Sequence, residues 1–233
     1  MLRSLTPVIL GLICVTSIAG WSQVYQRIRG DLTIKGKNFD STYQLVKGRF
    51  YYDRQTKKLV LHLRFPQREV YVFHDTTFYH YIDSAASWHL RRWGRSPFLP
   101  SMTPYSMILD GHLSDFGLDR LGFQMGKIER SDGLLISEWK PPAMLRKVIG
   151  KIRIATRQGR LFGVVYYDPK DNVLRKEFYE DYRKLGTLWF PHRIVQLQYH
   201  HDKEAIQVTT YENVVLDEKQ HRHWYDFRVP DSQ

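Results

Sequence analysis

Cysteine is almost missing from this chain: Cys14 is the single one among 233 residues, and it lies inside an N-terminal apolar segment. Disulfides therefore cannot brace the rest of the chain, and thiolate metal sites are excluded with them. Long apolar runs are missing as well. The stretch Val8–Val15 is too short to cross a bilayer comfortably as a helix. Gly-x-Ser-x-Gly, His-Glu-x-x-His, the P-loop and the dinucleotide fingerprint are all absent, which removes the usual signatures of esterase, zinc-protease and nucleotide chemistry. Acidic residues are outnumbered, with 24 Asp and Glu against 35 Lys and Arg, a formal charge of +11 and a pI near 9.7. That charge is spread along the chain, with no Arg-rich arm, helix-turn-helix or zinc-finger spacing. Nucleic acid is not the expected partner; membrane surfaces and membrane-bound partners fit better.

What the chain does have is 42% hydrophobic and 14% aromatic residues, enough for a packed core. Its start combines Arg3, the apolar run and the small residues Ser17 and Ala19, the layout of a secretory signal peptide cleaved after Ala19. Residues 1–19 are read as that signal and residues 20–233 as a single exported domain. A lipoprotein signal ending at Cys14 is the alternative, but Ile13 stands where a small residue is wanted.

From Asp31 onward the apolar pattern has period two, punctuated by turn residues at Asn38–Ser41, Pro66–Arg68, Ser131–Gly133, Gln158–Gly159, Pro169–Asn172 and Lys184–Gly186. These runs predict an antiparallel meander of roughly ten or more strands, which twist curls. The last run, "HWYDFRVP", is read as a strand too. The inner face is assigned to Leu61, Leu63, Val72, Phe78, Ile152, Ile154, Val164 and Tyr166. Between Ser84 and Gly122 the pattern changes. Thr103 and Pro104 there can start a short helix carrying Tyr105, Met107, Ile108 and Leu109, and Leu113, Phe116 and Leu118 suggest a second. Such short helices must lean on the sheet, either filling its interior or stoppering a cavity for an apolar ligand. His62, His74 and His80 read as surface or cavity-wall residues, and "YHHDKE" and "QHRHW" as solvated turns rather than metal sites.

The order and spacing of several of these segments resemble the LolA/LolB-type lipoprotein carriers. The resemblance runs through "GRFYYDRQTKKLVLHLRFPQREVYVFHDTTFYHYI", "TPYSMILDG", "GKIRIATRQGRLFGVVYYDPKDNVLRKEFYEDYRKLGTLWFPHRI" and "YENVVLDEKQHRHWYDFRVP", from about Gly48 to Pro230. It implies a half-open barrel of about eleven antiparallel strands with short helices as lid or plug. The expected activity is carriage, not catalysis: acyl chains of lipoproteins, or another lipid, would sit in an apolar cavity in the periplasm. No cofactor or metal is implied. An inner-membrane transporter and an outer-membrane acceptor are the implied partners, and the protein is expected to be a monomer. Arg54 matches the arginine that latches the lid helix in those carriers; a solvated turn arginine is the competing reading. The alternative function on the same fold is a periplasmic sensor of RseB-like type.

Overall fold

The computed structural model describes residues 25–74, 77–84, 87–93 and 117–228. Among them, thirteen strands form one wholly antiparallel sheet. In the first half they are β1 (Arg27–Lys37), β2 (Tyr43–Asp53), β3 (Lys58–Phe65), β4 (Glu69–His74), β5 (Thr77–Ser84) and β6 (Ser87–Trp93). In the second half they are β7 (Gln124–Ser131), β8 (Leu134–Lys140), β9 (Ile152–Arg157), β10 (Arg160–Tyr167), β11 (Val173–Leu185), β12 (Leu188–His200) and β13 (Lys203–Leu216). Their order across the sheet is β6-β5-β4-β3-β2-β1-β13-β12-β11-β10-β9-β8-β7. Two meanders are thus joined by the β1–β13 pair, and the sheet is left open between β6 and β7.

The turns follow from residue chemistry. Asp132–Gly133 and Gln158–Gly159 both adopt positive φ, as a two-residue hairpin turn matched to strand twist requires. At Pro169–Asn172, Asp168 Oδ1 accepts from the N–H groups of Lys170 and Asn172, each at 2.8 Å. Pro191 sits inside β12, where a missing N–H would normally break a ladder. The register with its partner strand is nonetheless unshifted, Glu180 pairing with Arg193 and Tyr182 with Pro191, with Asp181 at positive φ between them. Residues 87–93 form a strand within the segment where the pattern changes. One expectation is corrected: "HWYDFRVP" is not a strand, and Arg222–Tyr225 form one helical turn.

Alternation gives each strand two faces, and they meet different surroundings. On the inner face Ile28, Leu32, Phe50, Tyr52, Leu59, Leu63, Ile152, Ile154, Leu161, Val164, Tyr179, Phe190, Ile194 and Tyr211 join one cluster. The curl of the sheet is visible in its rings. Phe50 on β2 stacks on Phe190 of β12 at 6.0 Å, although β1 and β13 lie between them and a flat sheet would set the strands about 14 Å apart. After the lead-in Gly117, Leu118 and Phe123 flank a 3-10 turn (Asp119–Leu121) and are buried in the same cluster.

The outer face of β2–β5 is covered too. Tyr51, Val60, Val70, Val72 and Tyr81 form a second cluster with Tyr225, against which Trp224 and Phe227 pack. Trp224 stacks on His62 at 4.1 Å and on Tyr51 at 5.7 Å, while Arg27 pairs with Asp226 at 2.9 Å. The chain end is therefore a clasp over the back of the first meander. Farther along, the outer face carries cross-strand charge pairs such as Arg193–Glu180 and Arg153–Glu129.

Candidate functional site

The inner face of the open sheet is the candidate site, and it changes character from one end to the other. Around Ile28, Phe50, Tyr52, Leu59, Phe190 and Tyr211 it is apolar and aromatic. The ring of Tyr211 meets Phe50 and Phe190 edge-on, each at 5.5 Å. This end is paired through Ile28↔Tyr52 and Tyr52↔Leu59, so it lies where β1, β2 and β3 run together.

Toward the other end a polar band crosses the face. Strand register sets Glu177 opposite Val164 on one side and Gln196 on the other, and Gln196 opposite Gln207. Glu177 is fully buried and accepts from the Tyr179 hydroxyl at 2.7 Å and from Gln196 Nε2 at 3.0 Å. Gln207 Nε2 in turn donates to Gln196 Oε1 at 2.9 Å. Arg175, two residues back and 6% exposed, brings Nε to 2.9 Å from Glu177 Oε1. That contact is a charge pairing outside hydrogen-bond geometry, and neither Nε nor Nη2 of Arg175 has a hydrogen-bond partner. The guanidinium instead lies over the Tyr166 ring, 4.2 Å from its centre. Burial pushes the Glu177 carboxyl above its ordinary range, opposed by the Arg175 charge and by the bonds from Tyr179 and Gln196. Burial raises the Tyr166 and Tyr179 phenols as well, so both stay protonated donors. On β12 the residue paired with Arg175 is Gln198, which is exposed, so the band adjoins solvent at this end.

A smaller polar group lies on the same face nearer the β6 edge. Tyr71 donates to Glu69 Oε2 at 2.5 Å and stacks on His80 at 4.2 Å, with His80 Nε2 3.3 Å from the same carboxylate. Among the described residues, no group of three or more His, Cys, Asp or Glu could hold a metal ion.

Of the residues assigned to the inner face from sequence, Leu61, Leu63, Ile152, Ile154, Val164 and Tyr166 all fall in or against the inner cluster. Val72 does not. Its register partner is Val60, it is fully buried, and it belongs to the outer cluster under the clasp; Tyr71 is the residue opposite Leu61. The sequence hides this because β4 is covered on both sides, so Val70 and Val72 look as apolar as Tyr71 and Phe73. Phe78 pairs with Phe73, which puts its position in the inner-face register, although its side chain lies outside what is described. Tyr105, Met107, Ile108 and Leu109 lie outside the described residues. Arg54 follows β2; its N–H donates to Gln26 O at 2.8 Å and its guanidinium stands 5.7 Å over the Tyr25 ring. The Arg175–Glu177 band was missed altogether. Its signal was present in "VLRKEFYEDYRK", where Arg175 and Glu177 alternate in phase with Tyr179.

The "Gly-x-aromatic" segment has a direct structural reason. A Cβ on Gly48 would stand 2.4 Å from His62 O and 2.8 Å from Leu63 Cα, so β2 approaches β3 at a register shift that only glycine permits.

No protein-family model matches the sequence, and no curated protein matches it. Solved structures do match, at low identity. A DUF1329 family protein from Desulfovibrio piger aligns with a TM-score of 0.64 and 16% identity, over 88% of this chain and 91% of its own. A Vibrio parahaemolyticus domain, proposed to belong to an outer membrane lipoprotein-sorting protein, gives 0.62 and 14%, over 86% and 90%. A LolA superfamily protein from Nitrosomonas europaea gives 0.58 and 11%, over 87% and 93%. The chain has a LolA-like fold.

Proposed function

We propose that this chain is an extracytoplasmic carrier that holds acyl chains of lipoproteins, or of another lipid, against the apolar inner face of its sheet. The observation that carries this reading is the open sheet itself. Phe50, Tyr52, Leu59, Leu63, Phe190, Ile194 and Tyr211 point to one curled face that, among the described residues, no strand pairing closes over. Moving a chain from water onto such a surface is favourable by about 0.8 kcal/mol per CH₂, and needs neither metal nor catalytic group. The likeness of the fold to a LolA superfamily protein and to a proposed lipoprotein-sorting domain supports the same reading. The periplasm is the proposed compartment, with a membrane-bound donor and acceptor as partners. Arg54, near the apolar end of the face, is the proposed latch for a lid carrying Tyr105, Met107, Ile108 and Leu109.

The test is native mass spectrometry of the protein purified from the periplasm without detergent. Co-purified lipid or lipopeptide, released on denaturation, is the expected result. A bare chain that also takes up no acyl probe in vitro would refute the carrier reading.

A further inference from the structure

The polar band on the inner face leaves two donors of Arg175, Nε and Nη2, buried without a hydrogen-bond partner, and the surplus points to a ligand. The acceptors around Arg175 are already engaged. Glu177 Oε1 takes Gln196 Nε2 at 3.0 Å and faces Arg175 Nε at 2.9 Å, Glu177 Oε2 takes the Tyr179 hydroxyl at 2.7 Å, and Gln196 Oε1 takes Gln207 Nε2 at 2.9 Å. A purely structural ion pair would turn the planar fork of the guanidinium onto the carboxylate in bidentate fashion. Here the guanidinium lies over Tyr166 and reaches its hydroxyl, while Nη2 stays buried with no acceptor. A buried donor left this way carries a desolvation penalty that a bound acceptor would relieve.

Charge narrows the class of acceptor. Arg175 and Glu177 neutralise each other, so a bound anion would add a net negative charge beside a carboxylate that burial already disfavours. A neutral carbonyl adds none. The apolar face begins next to the band, with Val164, Ile154 and Ile194 beside Glu177 and Tyr179, while the exposed Gln198 opens the band to solvent. A molecule with an apolar chain on one side of a carbonyl and a polar body on the other matches that gradient. We infer that Arg175 is a specificity-determining residue that donates, through Nη2, to the carbonyl oxygen of an esterified acyl chain. The inference rests on the carrier reading and names the part of the cargo that the inner face recognises.

The test is displacement of the apolar reporter N-phenylnaphthylamine by dodecane, methyl laurate and laurate, which share an alkyl chain and differ in the head. The native protein should prefer methyl laurate to dodecane by about tenfold, the worth of a hydrogen bond from a charged donor. The double variant Arg175→Met/Glu177→Gln removes both charges while leaving an amide for Tyr179 and Gln196. It should bind dodecane as the native protein does and lose the preference for the ester. Should that variant fail to fold, Arg175→Lys makes the same comparison, because a compact ammonium drawn onto Glu177 leaves no free edge. An ester preference that survives in these variants would overturn the inference, as would laurate binding more tightly than its ester. If the native protein bound the reporter but none of the three displaced it, the recognition role would fall. If the reporter did not bind at all, the carrier reading would fall, and the inference with it.

Discussion

Tyr225 offers a test in which two substitutions at one position should move stability in opposite directions. Its ring is 2% exposed, meets Tyr51 edge-on at 5.5 Å, and lies under the Arg27 guanidinium at 4.8 Å. Its hydroxyl is buried and has no hydrogen-bond partner, and burial raises its pKa so that it stays protonated. Tyr225→Ala removes the ring from the middle of the clasp and should destabilise by about 3–5 kcal/mol, the usual loss for a buried aromatic. Tyr225→Phe keeps the ring and removes only the stranded hydroxyl. It should stabilise by about 0.5–1.5 kcal/mol, part of the penalty of leaving a buried polar group unsatisfied. For a chain of this size each kcal/mol corresponds to roughly 2–4 °C in Tm. Thermal and urea unfolding followed by tryptophan fluorescence would therefore separate the two variants by about 10 °C or more. Reporter binding per folded molecule should be unchanged in both, since Tyr225 sits on the outer face. A Tyr225→Phe protein less stable than native by more than about 1 kcal/mol would refute the reasoning, because the hydroxyl would then be bonded.

Three further expectations follow from the same geometry. Leu61→Glu sets a carboxylate opposite Phe50 and Tyr71 on the inner face and should weaken reporter binding at least tenfold; Val72→Ala should lose about 2 kcal/mol of stability with binding unaltered. Equal loss of binding in the two would mean the faces are misassigned. Gly48→Ala forces a Cβ to 2.4 Å from His62 O and should destabilise by more than about 2 kcal/mol, read as a lower urea midpoint with unchanged slope. Burial, then the Arg64, Arg49, Arg68 and His223 charges, pushes His62 down from 6.5 to about 4. Between those values the unfolded chain binds a proton that the folded one does not, so stability should fall as pH drops through that window and level off below it. Allowing for solvent screening, the loss is about 1–2 kcal/mol, and His62→Phe should abolish it; an unchanged pH profile in that variant would assign the effect elsewhere.

Strand content was legible because alternation and turn chemistry agree along most of the chain. Asp132–Gly133 and Gln158–Gly159 are turns for a local reason, and nothing distant overrides it. What failed to show was tertiary. In "HWYDFRVP" the alternation of Tyr225 and Phe227 with Asp226 and Arg228 mimics a strand, yet Trp224 packs on the same surface as Tyr225 and Phe227, which a strand would not allow. The same clasp made Val72 ambiguous, since an outer face that is itself covered no longer needs polar residues. Arg175 and Glu177 were hidden for the opposite reason. Charged residues alternating in a strand suggest a solvated face, and only the register of β10, β11 and β12 turns them inward.

The covering of the two faces also divides the sheet into firm and yielding parts, which leads to the last prediction. Strands β2, β3 and β4 are buried on both sides, by the inner cluster and by the clasp, and Phe50, Tyr51, Val60 and Val70 are each at most 1% exposed. At the opposite margin β7 is an edge strand whose residues are nearly all exposed, with Met125 at 49% and Ile128 at 53%. Among the described strands it is bonded to β8 alone, and the register of that pair shifts between Met125 and Ile128. Local opening is governed by such differences in buried contact, so amides should not share one protection factor. Hydrogen exchange should be slowest across residues 50–52 and 59–63 and fastest across residues 124–131 and the facing part of β8. A carrier that admits an acyl chain from one side needs this asymmetry, because the margin that parts must be able to do so without unfolding the rest. Adding an acyl ligand should then slow exchange at the inner-face residues of β8–β12 more than at β2–β4, where protection is already near its ceiling. Uniform protection from β2 to β7 would show instead that the sheet opens only as a whole.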